Sequence, residues 1–252
     1  MLRIRVIPTL LLQNKGLVKT VKFKNPTYIG DPINAVKIFN DKRVDELVFL
    51  DISASTQKKE PDYNYISDIA KECFMPICYG GGVKNIEQMR KIFKIGIEKI
   101  AINSAAIENP TLIREAATTF GSQSIVVAIN VKKDLFGNYK VYNPSEKKCL
   151  KMTLSDYVER AEAFGAGEIL LYPVDDDGTM KGYNLSLISK VTRTLKIPVI
   201  ACGGAGCVAD FKKAVQAGAS AVAAGSMFVY KGPHKAVLIN FPSSQELEEV
   251  FL

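Results

Sequence analysis

Apolar and polar positions along this chain alternate in blocks of two kinds. Short, nearly continuous apolar runs predict strands at residues 4–10, 46–51, 75–79, 98–102, 124–130, 168–173, 197–202 and 220–224. Stretches with helical spacing lie between them. The first is signalled by Asp31 as N-cap, Pro32 at the first helical position, and Ile33, Val36, Ile38 and Phe39 on the apolar side. Others are predicted at 86–95 and 209–216, at starts near Asp62, Asn109-Pro110, Ser155 and Asn184, and over 243–251. Strands that are apolar throughout and separated by helices belong to a parallel sheet covered on both faces.

The second half repeats the first. An offset of 122 carries Pro76, Gly81, Gly82, Gly96 and Ser104 onto Pro198, Gly203, Gly204, Gly218 and Ser226, and Glu46 onto Glu168. Each copy holds a strand running into a glycine cluster, then a helix, then a strand ending in a small hydroxyl residue. Glycine after a strand either makes a tight turn or brings backbone N–H groups against an anion. Paired clusters with matching hydroxyl ends favour two phosphate sites. Eight strand-helix units in 252 residues, with no break in composition, predict one domain over 1–252, a single (β/α)8 barrel made of two half-barrels. Its chemistry is then expected at the carboxyl ends of the strands.

Composition narrows the partners. Five cysteines with no C-x-x-C pair, and one histidine, His234, give no disulfide framework and no zinc site, so neither metal nor cofactor is expected. The apolar run at 1–12 is too short to span a membrane and lacks a cleavage site, which predicts a cytoplasmic protein with no membrane partner. The net charge is +7, with paired lysines at Lys132-Lys133, Lys147-Lys148 and Lys212-Lys213. Without aromatic interleaving these read as a solvated surface that attracts an anionic small molecule, not as a nucleic-acid site.

Several motifs together resemble one family. Asp45 to Ile52, Tyr79-Gly80-Gly81-Gly82, Ile102-Asn103-Ser104-Ala105-Ala106, Gly165 to Leu171, Asp177-Gly178-Thr179 and Gly203-Gly204-Ala205-Gly206 are similar to HisF, the cyclase subunit of imidazole glycerol phosphate synthase. The resemblance runs from the first strand to about Phe228. It implies a (β/α)8 barrel that takes ammonia from a HisH-type glutaminase along its axis and uses it on a ribonucleotide bearing a phosphate at each end. Gly82, Asn103 and Ser104 match one phosphate site of that family; Asp177, Gly178, Gly204, Gly225 and Ser226 match the other. Lys19 matches the loop lysine that closes over substrate. Arg5, Glu46, Lys99 and Glu168 match the gate at the ammonia entrance, and four charges at strand starts would otherwise read as a plug sealing the barrel bottom.

The two catalytic aspartates implied by the resemblance are absent. Their positions, the ends of the first and fifth strands, hold Leu11 and Asn130. Period-two alternation puts Arg5, Ile7, Thr9 and Leu11 on one strand face, and Ala128 and Asn130 on another. Leucine has no proton to exchange and an asparagine amide is no base near neutral pH. Asp51, Asp175, Asp176 and Asp177 remain near strand ends. Three readings stay open: a HisF-like conduit that passes ammonia to another acceptor, as in amidation of surface sugars; an active cyclase of histidine biosynthesis with rearranged catalysts; and a non-enzymatic, phosphate-binding regulator of its glutaminase.

Overall fold

The computed structural model describes residues 4–57 and 59–251. In chain order the elements are β1 (Arg5–Gln13), β2 (Gly16–Val21), β3 (Lys24–Gly30), α1 (Pro32–Asp41), β4 (Leu47–Asp51), α2 (Tyr63–Glu72), β5 (Ile77–Gly80), α3 (Ile86–Ile95) and β6 (Lys99–Ile102). There follow α4 (Ser104–Glu108), α5 (Thr111–Phe120), β7 (Ile125–Lys133), β8 (Tyr139–Asn143), β9 (Lys148–Thr153), α6 (Leu154–Ala163), β10 (Glu168–Pro173) and α7 (Leu185–Thr192). The chain ends with β11 (Val199–Cys202), α8 (Ala209–Gln216), β12 (Ala221–Ala224), α9 (Ser226–Val229), β13 (Tyr230–Lys231), β14 (Ala236–Val237) and α10 (Ser244–Phe251).

Eight of these strands, in the order β1, β4, β5, β6, β7, β10, β11, β12, pair in parallel, and β12 closes the ring onto β1 with Arg5 opposite Ala221 and Pro8 opposite Ala224. The predicted (β/α)8 barrel is therefore the fold. Alternation along each strand makes two cores. Val6, Leu10 and Leu12 of β1 face outward into the large core beneath the helices, with Phe39, Met89, Ile92, Phe211 and Phe228. Ile7 faces inward, with Val48, Cys78, Ala101, Val126, Ala128, Leu170, Ile200, Ala221 and Ala223, to fill the lumen. Helix starts follow side-chain capping: Asp31, Asp62, Asn85, Thr153 and Asn184 each accept a hydrogen bond from a backbone N–H three residues on.

Two strands run past their predicted ends. β1 continues to Gln13, turns through Asn14 and Lys15, both at positive φ, and returns antiparallel as β2, which pairs with β3. β7 continues to Lys133 and pairs antiparallel with β8, and β8 with β9. Each half-barrel thus opens on a strand that rises out of the barrel as a hairpin. No helix among the described residues is long and apolar enough to cross a membrane.

The duplication also supplies a built-in control. Gly96 and Gly218 close the turns after α3 and α8 with φ of 106° and 108°, so an alanine is equally strained at either. A Cβ at Gly96 meets nothing within 4 Å, whereas one at Gly218 lies 2.4 Å from Thr192 Oγ1. We expect Gly96→Ala to cost about 1 kcal/mol, the backbone strain alone, and Gly218→Ala about 1–3 kcal/mol more from overpacking. Urea unfolding of the two variants measures the difference, and Thr192→Ala in the Gly218→Ala background should restore most of it.

Candidate functional site

The barrel has two polar ends. At the amino ends of the strands, four side chains form a closed ring of alternating charge. Arg5 Nη1 lies 2.6 Å from Glu46 Oε2 and Nη2 lies 2.5 Å from Glu168 Oε1; Lys99 Nζ lies 3.0 Å from Glu46 Oε2 and 2.9 Å from Glu168 Oε2. Burial works against the Arg5 charge, but the two carboxylates outweigh it and raise its pKa. The Glu46 side chain is 3% exposed, and its Oε1 is buried without a hydrogen-bond partner among the described residues. The alternation read from the sequence places Arg5 here because it shares the inward face of β1 with Ile7, one layer above.

At the carboxyl ends a pocket of about 280 Å³ opens above the lumen. Leu11 and Asn130 both line it, and both are buried. Gly82, Asn103 and Ser104 line the same pocket. Gly82 N–H donates to Ser55 Oγ at 3.4 Å, Ser104 Oγ lies 2.8 Å from Ser145 Oγ, and Asn103 Nδ2 donates to the Ala128 carbonyl at 2.6 Å, leaving Asn103 Oδ1 buried and unpartnered among the described residues. Ser104 also opens α4, where free N–H groups favour an anion. Among the described residues, Asp51 is the one carboxylate and Lys147 the one cation that line this pocket. The Asp51 carboxylate caps its own turn through Ser53 N, Ser53 Oγ and Ala54 N.

The second set of anion candidates lies outside this pocket, with Asp177 and Gly204 buried and Gly178, Gly225 and Ser226 partly exposed. The hairpin of β2 and β3 is fastened over it: the Asp177 carboxylate accepts from Thr20 Oγ1 at 2.7 Å, Phe23 N at 3.0 Å and Tyr172 OH at 2.9 Å, and Lys22 N donates to the Asp177 carbonyl. Backbone packs directly on the glycines. A Cβ on Gly178 would lie 2.2 Å from the Thr20 carbonyl oxygen, and one on Gly204 would lie 2.3 Å from that of Gly182. Gly225, next to Ser226 at the start of α9, faces the ammonium of Lys19, which would lie 2.3 Å from an added Cβ. Lys19 is buried and donates to the Thr9 carbonyl at 2.6 Å. The structure thus brings Leu11, Asn130 and the first anion set together, and sets Lys19, Asp177 and the second set apart beneath the hairpin.

Comparison with known proteins bears on what this arrangement is for. The profile of the family described as "Histidine biosynthesis protein" matches residues 5–235. The chain is 51% identical over 253 residues, covering all of both chains, to a Leptospira interrogans protein provisionally named imidazole glycerol phosphate synthase subunit HisF. It is 49% identical to a Pseudomonas aeruginosa protein provisionally named subunit hisF2, over 98% of this chain and 99% of that one. It is 42% identical to imidazole glycerol phosphate synthase subunit HisF of Petrotoga mobilis, over 91% of this chain and 92% of that one. The chain is a HisF-like member of this family.

In this HisF-like chain the sequence missed the floor and walls supplied by the hairpins. Ser145, Lys147 and Tyr142 reach the pocket from the β8–β9 side and Thr20 and Phe23 from β2–β3. Lys147-Lys148 and the polar alternation after residue 130 are the sequence signal of these arms. The lysines are also not free of aromatics: Lys132 sits over the Tyr142 ring and Lys133 over the Tyr139 ring.

Burial pushes the Lys19 pKa down to about 8, with Asp177 and Cys202 pulling weakly the other way. A lysine with a folded pKa below its unfolded value binds fewer protons folded than unfolded across that window, so its contribution to stability rises with pH there. Comparing wild type with Lys19→Met by urea unfolding removes the opposing effect of buried thiols and phenols. The stability difference, wild type minus variant, should increase by about 2 kcal/mol between pH 8 and pH 9.5. A flat difference would mean that the ammonium is hydrated.

Proposed function

We propose that this chain is the barrel subunit of a glutamine amidotransferase, which receives ammonia from a HisH-type glutaminase at the charged ring and releases it at the pocket, without the family's ordinary cyclisation chemistry. One strand carries the argument. The inward face of β1 keeps Arg5 in a complete ring at one end and presents Leu11 to the pocket at the other, where Asn130 is the facing partner position on β7.

The physical reasons are separate at each end. Cyclisation needs a group that gives a proton and one that takes it, worth about 10²–10⁴-fold each, and neither Leu11 nor Asn130 can do either near neutral pH. Between the ends, the lumen wall is uncharged and mostly apolar, with Cys78, Cys202 and Thr9 among Val48, Ala101, Ala128 and Ile200 and with Tyr172 near the mouth, which suits neutral ammonia and offers an ammonium ion no counter-charge. The ring as a whole is neutral, and its unpartnered Glu46 Oε1 is an acceptor for an entering N–H donor. Gly82, Asn103 and Ser104, with Lys147, would hold a phosphorylated ligand; Gly178, Gly204, Gly225 and Ser226, beside the Lys19 ammonium, would take a second anion. An amidation substrate of the surface-sugar class is the acceptor that the resemblance suggests. The presence of Asp51 in the pocket favours, as second reading, a cyclase that has moved its carboxylate.

Two measurements test this. Purified protein given ammonium chloride and the family's ribonucleotide should form little or no imidazole glycerol phosphate, and Leu11→Asp with Asn130→Asp should raise formation by at least ~10²-fold. Robust turnover by the unaltered chain, abolished by Asp51→Asn, would establish the second reading instead.

Lys99→Met in complex with the glutaminase separates gate from plug. Removing one cation leaves Glu46 and Glu168 sharing Arg5 alone, a loss of about 3 kcal/mol given the burial of both carboxylates. The folded fraction should hydrolyse glutamine while delivering a smaller share of the ammonia to the acceptor. A plug predicts the same destabilisation with an unchanged share.

A further inference from the structure

The positive charge of the chain is not spread over its surface. Residues 13–30 and 131–153, the two hairpin arms, hold ten lysines against two carboxylates, Asp134 and Glu146. That is +8 in a chain of net charge +7, so everything else carries −1. Both arms leave the barrel at its carboxyl end and flank the pocket, which Thr20 and Phe23 line from one side and Tyr142, Ser145 and Lys147 from the other. Of the arm lysines only Lys15 is in an ion pair among the described residues, with Asp62. Nearby acids on this face are already taken: Asp175 accepts from Lys133 N, and Asp176 from Asn184 Nδ2.

Each arm also presents apolar side chains to water. At the tip of the longer arm, Leu135 and Phe136 are 101% and 89% exposed; on the other arm Val21 and Tyr28 stand out from the surface. The longer tip is built to hold this shape. The Asp134 carboxylate accepts from Phe136 N, Asn138 N and Asn138 Nδ2, Gly137 N donates back to the Asp134 carbonyl, and Gly137 takes the turn at φ of 81°. Rigid, exposed apolar residues inside a basic field are a costly surface for a protein that stays alone in solution. They fit an acidic partner with an apolar socket.

We propose that the two arms dock an acidic protein, the enzyme that consumes the ammonia, through a carboxylate-rich rim around a socket for Leu135 and Phe136. This rests on the reading that ammonia leaves by the pocket, because the arms stand on either side of that mouth and a protein seated on both of them would receive ammonia without release to solvent. A nucleic acid would use the lysines and leave Leu135 without a role; an anionic membrane would accept lysines and tips alike but would cover the mouth with no acceptor for nitrogen.

The test uses the full chain in its own cells, in complex with its glutaminase, with p-benzoylphenylalanine as the probe at position 136 and, as the amino-end control, at exposed position 74. Position 136 should capture a protein that position 74 does not. That protein, purified, should bind the complex with an affinity that falls with added salt and at least tenfold in Leu135→Asp/Phe136→Asp and in Lys133→Glu/Lys148→Glu. It should also incorporate nitrogen from amide-labelled glutamine. Capture at 136 of the glutaminase, of a second copy of this chain, or of nothing overturns the docking, as does retention of anionic vesicles or duplex DNA in place of a protein. Binding unaffected by both variants, with nitrogen still transferred, overturns the docking and leaves the conduit reading standing. Binding lost as expected with no labelled nitrogen in any product overturns the conduit reading and leaves the docking standing.

Discussion

The ring of Arg5, Glu46, Lys99 and Glu168 is the interaction on which both ends of this barrel turn. Each member opens, or immediately precedes, a different strand, so the four contacts tie β1, β4, β6 and β10 together across the barrel bottom. Two cations and two anions cancel, which lets them be held where single charges would be costly. Four apolar side chains of similar volume would close the bottom at least as stably, since desolvating a buried ion pair commonly offsets its attraction. Stability alone therefore gives no reason for the ring. The proposed ammonia entrance, with Glu46 Oε1 as acceptor for an entering N–H donor, is such a reason, and it costs the fold little as long as all four members remain.

The inward face of β1 works as a ruler between the ends. From Arg5 to Leu11 is six residues, roughly 20 Å at the usual rise of a strand. Over that length the face runs from the charge of Arg5 through Ile7 and the hydroxyl of Thr9, which lies 3.7 Å from Cys202 Sγ, to Leu11 at the mouth. Change at one end with retention at the other is not what general decay of an unused protein would leave. The proposed conduit requires this pattern, a charged ring at one end and no proton-transfer group at Leu11 and Asn130 at the other.

How much of this could be read from the residues follows from their physics. The parallel barrel was legible because buried parallel strands are apolar throughout and their helices carry side-chain caps such as Asp31 and Asn184. The duplication was legible because Gly96 and Gly218 need the same left-handed turn. Leu11, Asn130 and the ring residues could be placed because a strand of period two fixes which side chains face in. The hairpins were not legible. Val131 to Lys133 and Gly16 to Val21 have mixed polarity, as two-stranded arms do when one face meets solvent, and such patterns look like loops. Missing the arms meant missing Ser145, Lys147 and Phe23 in the pocket, and treating the lysines as scattered when they belong to two structures.

The glycine motifs show a subtler limit. Gly82 and Gly204 match in the repeat, and from sequence they have two explanations, a tight turn or close approach to an anion. In the structure backbone packs on all three: a Cβ on Gly204 would meet the Gly182 carbonyl, one on Gly178 that of Thr20, and one on Gly82 would lie 2.8 Å from that of Lys59, although Gly82 also lines the pocket. Close packing therefore requires glycine in both halves, and in the first half the glycine lines the pocket as well.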